Sequence, residues 1–440
     1  MSRCNGLSYG YDIKPIPSSQ RKYDFIDNFA IWFGAGISIA EFWAGAILVA
    51  SPISLDLKLA LIAIIVGHII GNLLLSMVGV IGVETGLPTM VISRKPLGLR
   101  GSYLVSILNY LQLIGWTAVM LIVGALAMNN VSMSLAGINL YGLWVILLGI
   151  LVTLWSLIGP EKWRLLEKIA AILLLVLSVW LAYVVLESYA VSDLLSGPLV
   201  LTPSFWLGLD LVIAMPVSWA PLIADYTRFS RRVSDGFWGS YIGYFVSSSL
   251  FYFLGAVSNI VAGEMDPISI IAFYGLGVPA MLIIVFSTVT TTFLDVYSAA
   301  ITFKNIRPQA DARKQITFVG ILGTLIALVF PIHEYEWFLI LIGGAFVSLT
   351  ALMITDFIID KKSYDPQKIL DPGILVDWGS IIVWAIGFTV YILLAAPGLI
   401  PGLYIPFFSE LGAVVGSSIP TLIIVSIIYT LYRLYRGRTP

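Results

Sequence analysis

The chain has a single cysteine, Cys4, so an intrachain disulfide is excluded. Its two histidines, His68 and His333, are too few and too far apart to suggest a metal site. Charge is scarce as well. Only 11% of the 440 residues are Asp, Glu, Lys or Arg, where a soluble domain carries about 25%, which excludes an ordinary soluble protein. No Lys/Arg-rich domain is present, which removes a nucleic-acid binder. The absence of a Walker motif speaks against an ATP-driven pump, and the absence of HExxH or GxSxG with partner residues speaks against a membrane hydrolase. The first 27 residues contain no apolar core, so no cleavable signal peptide is expected.

What is abundant is apolar surface. Hydrophobic types make up 59% of the chain, and runs of about twenty such residues recur, each long enough to cross a bilayer as a helix. Twelve spanning segments are expected, roughly 28–50, 58–82, 101–128, 141–159, 165–187, 206–226, 236–261, 277–302, 315–331, 335–357, 376–397 and 413–435, with a break at Pro331–His333 separating segments nine and ten. The distribution of positive charge tests the count. With the N-terminus in the cytoplasm, 23 of the 24 basic residues fall in inner loops and ends, and only Lys58 falls outside. A wrong count would scramble this alternation beyond the error. Both tails, 1–27 and 436–440, are therefore expected in the cytoplasm, and the cell membrane is the expected location. Several short outer loops carry only acids: Glu187 and Asp193, Glu264 and Asp266, Glu334 and Glu336. No soluble domain is appended, so function is expected within the bundle.

Four segments carry features that are costly in hydrocarbon unless they face protein, water or a ligand. Segment one holds Gly34, Gly36, Gly45 and Glu41. Gly45 reads equally well as a close helix contact, whereas unwinding at Gly34 and Gly36 would free carbonyls for a cation. Segment six reads AMPVSWAPLIADY, with Pro216 and Pro221 flanking Ser218-Trp219. Two prolines five residues apart suggest a broken helix, with backbone groups around Val217–Ala220 open to a ligand. Asp225 and Arg228 near its inner end suggest an ion pair or gate. On segment three, Gln112 and Trp116 are four apart and share a helix face, an amide and an indole suited to a planar, hydrogen-bonding ring. Segment eight reads STVTTTFLDVYSA, where Thr290 and Thr291 offer hydroxyls to a hard cation or bond back to their own helix, and Asp295 follows one turn on. Interrupted segments one and six, and polar segments three and eight, each lie five apart. That odd offset reverses membrane direction, so the halves read as inverted repeats with a site at mid-membrane.

The stretches WFGAGISIAE, GWTAVM, SWAPLIADYTRF and STVTTTFLDVYSA together resemble the nucleobase–cation symporter-1 family, within its cytosine-permease-like branch that includes hydroxymethylpyrimidine transporters. The resemblance covers essentially the whole chain. It implies an all-α LeuT-type fold, with repeats at 28–187 and 206–357 and two further helices at 376–435. It implies cation-coupled import of a pyrimidine, hydroxymethylpyrimidine first and cytosine second, with no cofactor beyond the coupling sodium or proton and no required protein partner. Trp116 matches the family's stacking residue, and Val217, Ser218 and Trp219 match its substrate-contacting turn. Ser38, Glu41, Gln112 and Asp295 complete the expected substrate contacts. Gly34 and Ile37 carbonyls with Thr290 and Thr291 hydroxyls match the sodium site, with Ser287 and Thr288 as the rival register. Glu41, and Asp295 where the family usually has asparagine, depart from the pattern. Either carboxyl suits an aminopyrimidine edge, accepting from the exocyclic amine when ionised and donating to the ring nitrogen when protonated.

Overall fold

The computed structural model describes residues 10–51, 53–187, 199–263, 277–330, 335–395 and 405–436. The expected break at Pro331–His333 and the outer-loop acids Asp193, Glu264, Asp266 and Glu334 lie outside them. The described chain is helical throughout. Ten helices are long and apolar enough to cross a membrane, and an eleventh span is the bent pair Phe25–Gly36 and Ile39–Val49. With the shorter helix Ser204–Ser218 these are consistent with the twelve expected segments. In order, segments two to five are Leu57–Thr85, Gly101–Ala136, Tyr141–Ile158 and Pro160–Glu187. Segments seven to ten are Val233–Ala262, Gly277–Ile306, Ala312–Val329 and Tyr335–Asp360. Segments eleven and twelve are Trp378–Ala395 and Ser418–Arg436. A short helix, Pro406–Val415, precedes the last.

Both expected interruptions are present. Segment one stops at Gly36, and its second half restarts at Ile39 at an angle of 55°. Ser38 is extended and caps the new helix, its hydroxyl accepting from the Glu41 N–H at 3.2 Å. Segment six stops at Ser218 and resumes as the single turn Ala224–Thr227. Between them the chain closes on itself through tight turns: Trp219 N–H donates to Pro216, Ala220 to Val217, and both Leu222 and Ile223 to Trp219. The Trp219 and Ala220 N–H groups and the Val217 and Trp219 carbonyls are thus engaged locally, while the N–H groups that a continuous helix would aim at the Ser218 and Ala220 carbonyls, those of Leu222 and Ala224, go to Trp219 and Thr89 instead.

Packing reveals the symmetry. Segment one lies on segment seven as segment six lies on segment two, and segment two meets segment seven. Segment three lies on segment eight, and segments four and nine pack against each other and across that pair. Exchanging each helix with the one five later maps these neighbours onto themselves, as an inverted repeat requires. Two packed sets result: segments one, two, six and seven, and segments three, four, eight and nine. Segment five holds one end of the first set, where Arg164 and Lys168 pair with the buried Asp27 at 2.9 and 2.7 Å. Segments ten to twelve form a flank, pinned where Asp356 accepts from Tyr429 at 2.7 Å and from Tyr364 at 2.9 Å.

Segments one and seven approach through glycine. A Cβ at Gly45 would lie 2.0 Å from the Tyr252 carbonyl oxygen, and one at Gly255 only 1.8 Å from that of Phe42. Neither backbone can give way, so Gly45 is a packing glycine. Gly36 is likewise filled, by Ser247 and Ser248. Gly34 differs, because a Cβ there would stand at ordinary contact distance, 3.5 Å from Thr290 and from Glu167. Gly255→Leu is expected to destabilise the protein by about 1–3 kcal/mol or more. Gly142→Ala, whose Cβ has only Leu328 within reach at 3.8 Å, is expected to be neutral. Thermal unfolding in detergent compares the two.

Candidate functional site

The broken ends of segments one and six face segments three and eight across one small cavity. It is lined by Ser38 and Glu41 from segment one, and by Gln112 and Trp116 from segment three. Ser218 and Trp219 come from segment six, and Thr291 and Asp295 from segment eight. Apolar walls come from Leu113, Met120, Met215 and Leu222. Seven of the eight expected substrate residues therefore meet at one place. Val217 does not. It is fully buried in the apolar cluster behind segment six with Val212 and Ile213, because the tight turn aims its neighbours Ser218 and Trp219 at the cavity instead.

Several polar groups in the lining have a definite hydrogen-bond state. The Gln112 amide donates to Asn109 at 2.7 Å, and Asn109 donates to Thr302 at 2.8 Å, which leaves Gln112 Oε1 buried without a partner. Thr291 Oγ1 is also buried without a partner. Ser218 instead donates back to the Met215 carbonyl at 2.6 Å. The Trp219 indole N–H donates to the Tyr244 hydroxyl at 2.9 Å, and its ring stands edge-to-face on Trp32 at 6.1 Å. Tyr244 donates to Glu41 Oε1. Ser248 Oγ lies 2.9 Å from Glu41 Oε2. Glu41 thus sits at the wall with both oxygens already tied to segment seven. Two indole faces, an unpartnered amide oxygen and two carboxyls suit a flat ligand that carries N–H donors.

The expected cation residues lie at the edge of this space. The Ser38 cap takes the Glu41 N–H, so the Ile37 carbonyl loses the partner a continuous helix would supply. The Gly34 carbonyl keeps only a long bond, 3.3 Å, from the Ile37 N–H. Thr290 stands beside Gly34, with its hydroxyl donating back to the Phe286 carbonyl at 2.8 Å, so only its oxygen lone pairs are left to a cation. Thr288, of the rival register, faces Gly124 on segment three instead. Sequence reasoning missed Glu167 on segment five. Its Oε1 accepts from Trp155 at 2.7 Å, while Oε2 is buried and unpartnered, about 3.5 Å from where a Gly34 Cβ would stand. The signal was present, since Glu167 is an acid among the apolar residues of segment five.

The N-terminal tail packs against the end of segment six. Arg228 and Asp225 do not form the expected side-chain pair. Arg228 donates instead to the carbonyls of Gly10 at 3.1 Å and Asp12 at 2.8 Å, to Tyr297 at 3.0 Å and to the backbone of Asp225. Asp225 accepts from the Thr89 N–H at 2.9 Å.

Residues 15–421 match the family model described as permease for cytosine/purines, uracil, thiamine, allantoin. The chain belongs to that permease family. The cytosine permease of Escherichia coli (strain K12) is 26% identical over 429 residues, covering 96% of this chain and 95% of the relative. The hydantoin permease of Microbacterium maritypicum is 23% identical, covering 82% and 79%. Among solved structures, the nucleobase-cation-symport-1 transporter Mhp1, closed with bromovinylhydantoin bound, superposes with a TM-score of 0.75 at 18% identity over 96% of both chains. Its inward-facing form scores 0.70, over 95% of this chain and 93% of Mhp1. The fold is thus the LeuT-type inverted repeat with two added helices, and the chain is a multi-pass membrane permease, not an enzyme. Arg228→Ala is expected to lower stability by about 1.5–3 kcal/mol, as for hydrogen bonds from a charged group. It is also expected to speed proteolysis after residue 10, read by thermal unfolding and limited digestion.

Proposed function

We propose that this permease imports an aminopyrimidine by cation symport, hydroxymethylpyrimidine first and cytosine as the alternative. The carrying observation is the cavity between the two helix breaks, where Trp116 and Trp219 meet Gln112, Glu41 and Asp295. Both candidate rings present an exocyclic amine beside a ring nitrogen. Gln112 Oε1 and an ionised carboxyl accept from the amine, a protonated carboxyl donates to the nitrogen, and the indoles cover the ring faces. The relatives named cytosine permease favour the alternative. The thiamine in the family description is compatible with a thiamine precursor. Substrate reaches the site by alternating exposure of the cavity to the two sides of the cell membrane, with both tails in the cytoplasm.

Sodium is the proposed coupling ion, held by the Gly34 and Ile37 carbonyls with Thr290 and Thr291. Support comes from the altered hydrogen bonding at Ile37 and Gly34 and from the unpartnered Thr291 hydroxyl. The nearby Glu167 carboxyl would balance the charge of the ion. A thermal-shift screen of pyrimidines, purines, hydantoins and thiamine precursors, with and without sodium, tests the reading. Stabilisation by aminopyrimidines alone is expected, and stabilisation by hydantoins alone would overturn it. Trp116→Ala is expected to abolish binding of the stabilising ring in calorimetry while leaving unfolding temperature near that of the parent. Thr290→Ala with Thr291→Ala is expected to remove the sodium dependence of that binding, and unchanged sodium dependence would refute the cation assignment.

A further inference from the structure

His68, on segment two, takes no part in the cavity lining, yet it is fully buried and linked to it. Its Nδ1 lies 2.8 Å from the Ile64 carbonyl, and its Nε2 lies 2.6 Å from Ser248 Oγ. Ser248 in turn meets Glu41 Oε2 at 2.9 Å. Donor counting constrains the protons. A carbonyl only accepts, so Nδ1 carries hydrogen. Ser248 has one hydrogen and two acceptor-capable neighbours. The Trp219 indole N–H points into Tyr244, so Tyr244 gives its own hydrogen to Glu41 Oε1.

With a single added proton, two placements satisfy every contact. In one, Glu41 is protonated on Oε2 and donates to Ser248, which donates to a neutral His68. In the other, His68 is doubly protonated and donates from Nε2 to Ser248, which donates to an ionised Glu41. Both carry one proton beyond an ionised glutamate and a neutral imidazole. Without it the chain is one donor short. We propose that Glu41, Ser248 and His68 form a binding site for a single mobile proton, which passes between the cavity wall and the interior of the helix set. In the transfer, the Oε2 hydrogen moves to Ser248 Oγ while the Ser248 hydrogen moves to His68 Nε2, and net charge is conserved. The other ionisable groups facing the chain are Tyr244 and Tyr252 of segment seven, with the Tyr252 ring 5.0 Å from His68, and Asp295 across the cavity. Segments three and six present the uncharged Gln112 and Trp219.

The consequence for transport rests on the cavity reading above. With the proton on His68, Glu41 faces the cavity as a carboxylate and accepts from an amine. With the proton on Glu41, the wall is neutral. The relay itself is tested without ligand. In the full-length protein in lipid nanodiscs, His333→Gln leaves one histidine, and 15N-histidine NMR with infrared spectroscopy counts the proton near neutral pH. The expected result is either a doubly protonated His68, or a neutral ring with hydrogen on Nδ1 plus a carboxylic C=O band that Glu41→Gln removes. A neutral His68 beside an ionised Glu41 would overturn the relay. Ser248→Ala, a small change that cuts the link, is expected to shift the ionisation constant of His68 by about tenfold or more. An unchanged titration would also overturn it. Added cytosine is expected to drive the proton toward His68. If the ligand-free count and the Ser248→Ala shift hold but cytosine changes nothing, the relay stands and the cavity reading fails.

Discussion

No water is available within the hydrocarbon to satisfy a backbone group, so each must find its partner in the protein. Everything distinctive about this bundle follows from how its two helix interruptions meet that demand. At the first, Ser38 replaces a backbone carbonyl as acceptor for the Glu41 N–H and turns the chain by 55°. That turn brings Glu41 to the cavity wall. At the second, prolines 216 and 221 remove two donors, and the Val217 carbonyl that Pro221 leaves free accepts from Ala220 in a tight turn. The groups left for a ligand include the Ile37 carbonyl, Gln112 Oε1 and the Thr291 hydroxyl.

The close glycine contacts give those groups a fixed frame. Gly45 against Tyr252 and Gly255 against Phe42 leave no room for a side chain between segments one and seven, so the second half of segment one is held to its neighbour by backbone contact. The same residue type serves a different end at Gly34, where a side chain would fit and the space opens toward Thr290 and Glu167. Distance to the nearest backbone, not the presence of glycine, separates the packing position from the candidate cation position.

Much of this was legible in sequence because hydrocarbon imposes a coarse code. Apolar run length and the alternation of basic loops give the spans. The paired prolines and the polar residues at a five-segment offset give the symmetry and most of the lining. What escaped was decided by hydrogen-bond direction. Val217 sits in the right turn but on its packed side. Arg228 has an acid three residues before it, yet bonds the tail carbonyls of Gly10 and Asp12, which only tertiary structure brings near. Thr290 has the residue type expected of a cation ligand but spends its donor on its own helix. His68 looked inert as one of two distant histidines. Its partner Ser248 is 180 residues away, a separation that no local pattern reports.

The polar networks divide along the same line as the packing. Glu41, His68, Trp219, and Tyr244 with Ser248 come from segments one, two, six and seven, one network within one packed set. Gln112, Asn109 and Thr302 belong to segments three and eight, a second network within the other set. Neither network needs the other to satisfy its internal bonds, so relative displacement of the sets breaks none of these bonds. One residue of each, Glu41 and Gln112, lines the cavity between them. A ligand that bonds to both walls then adds to the ties that Arg228–Tyr297 and Tyr226–Leu294 already make between the two sets, and its binding energy depends on their separation. A ligand shifts a conformational equilibrium only by its differential affinity for the states, and this arrangement supplies that difference directly.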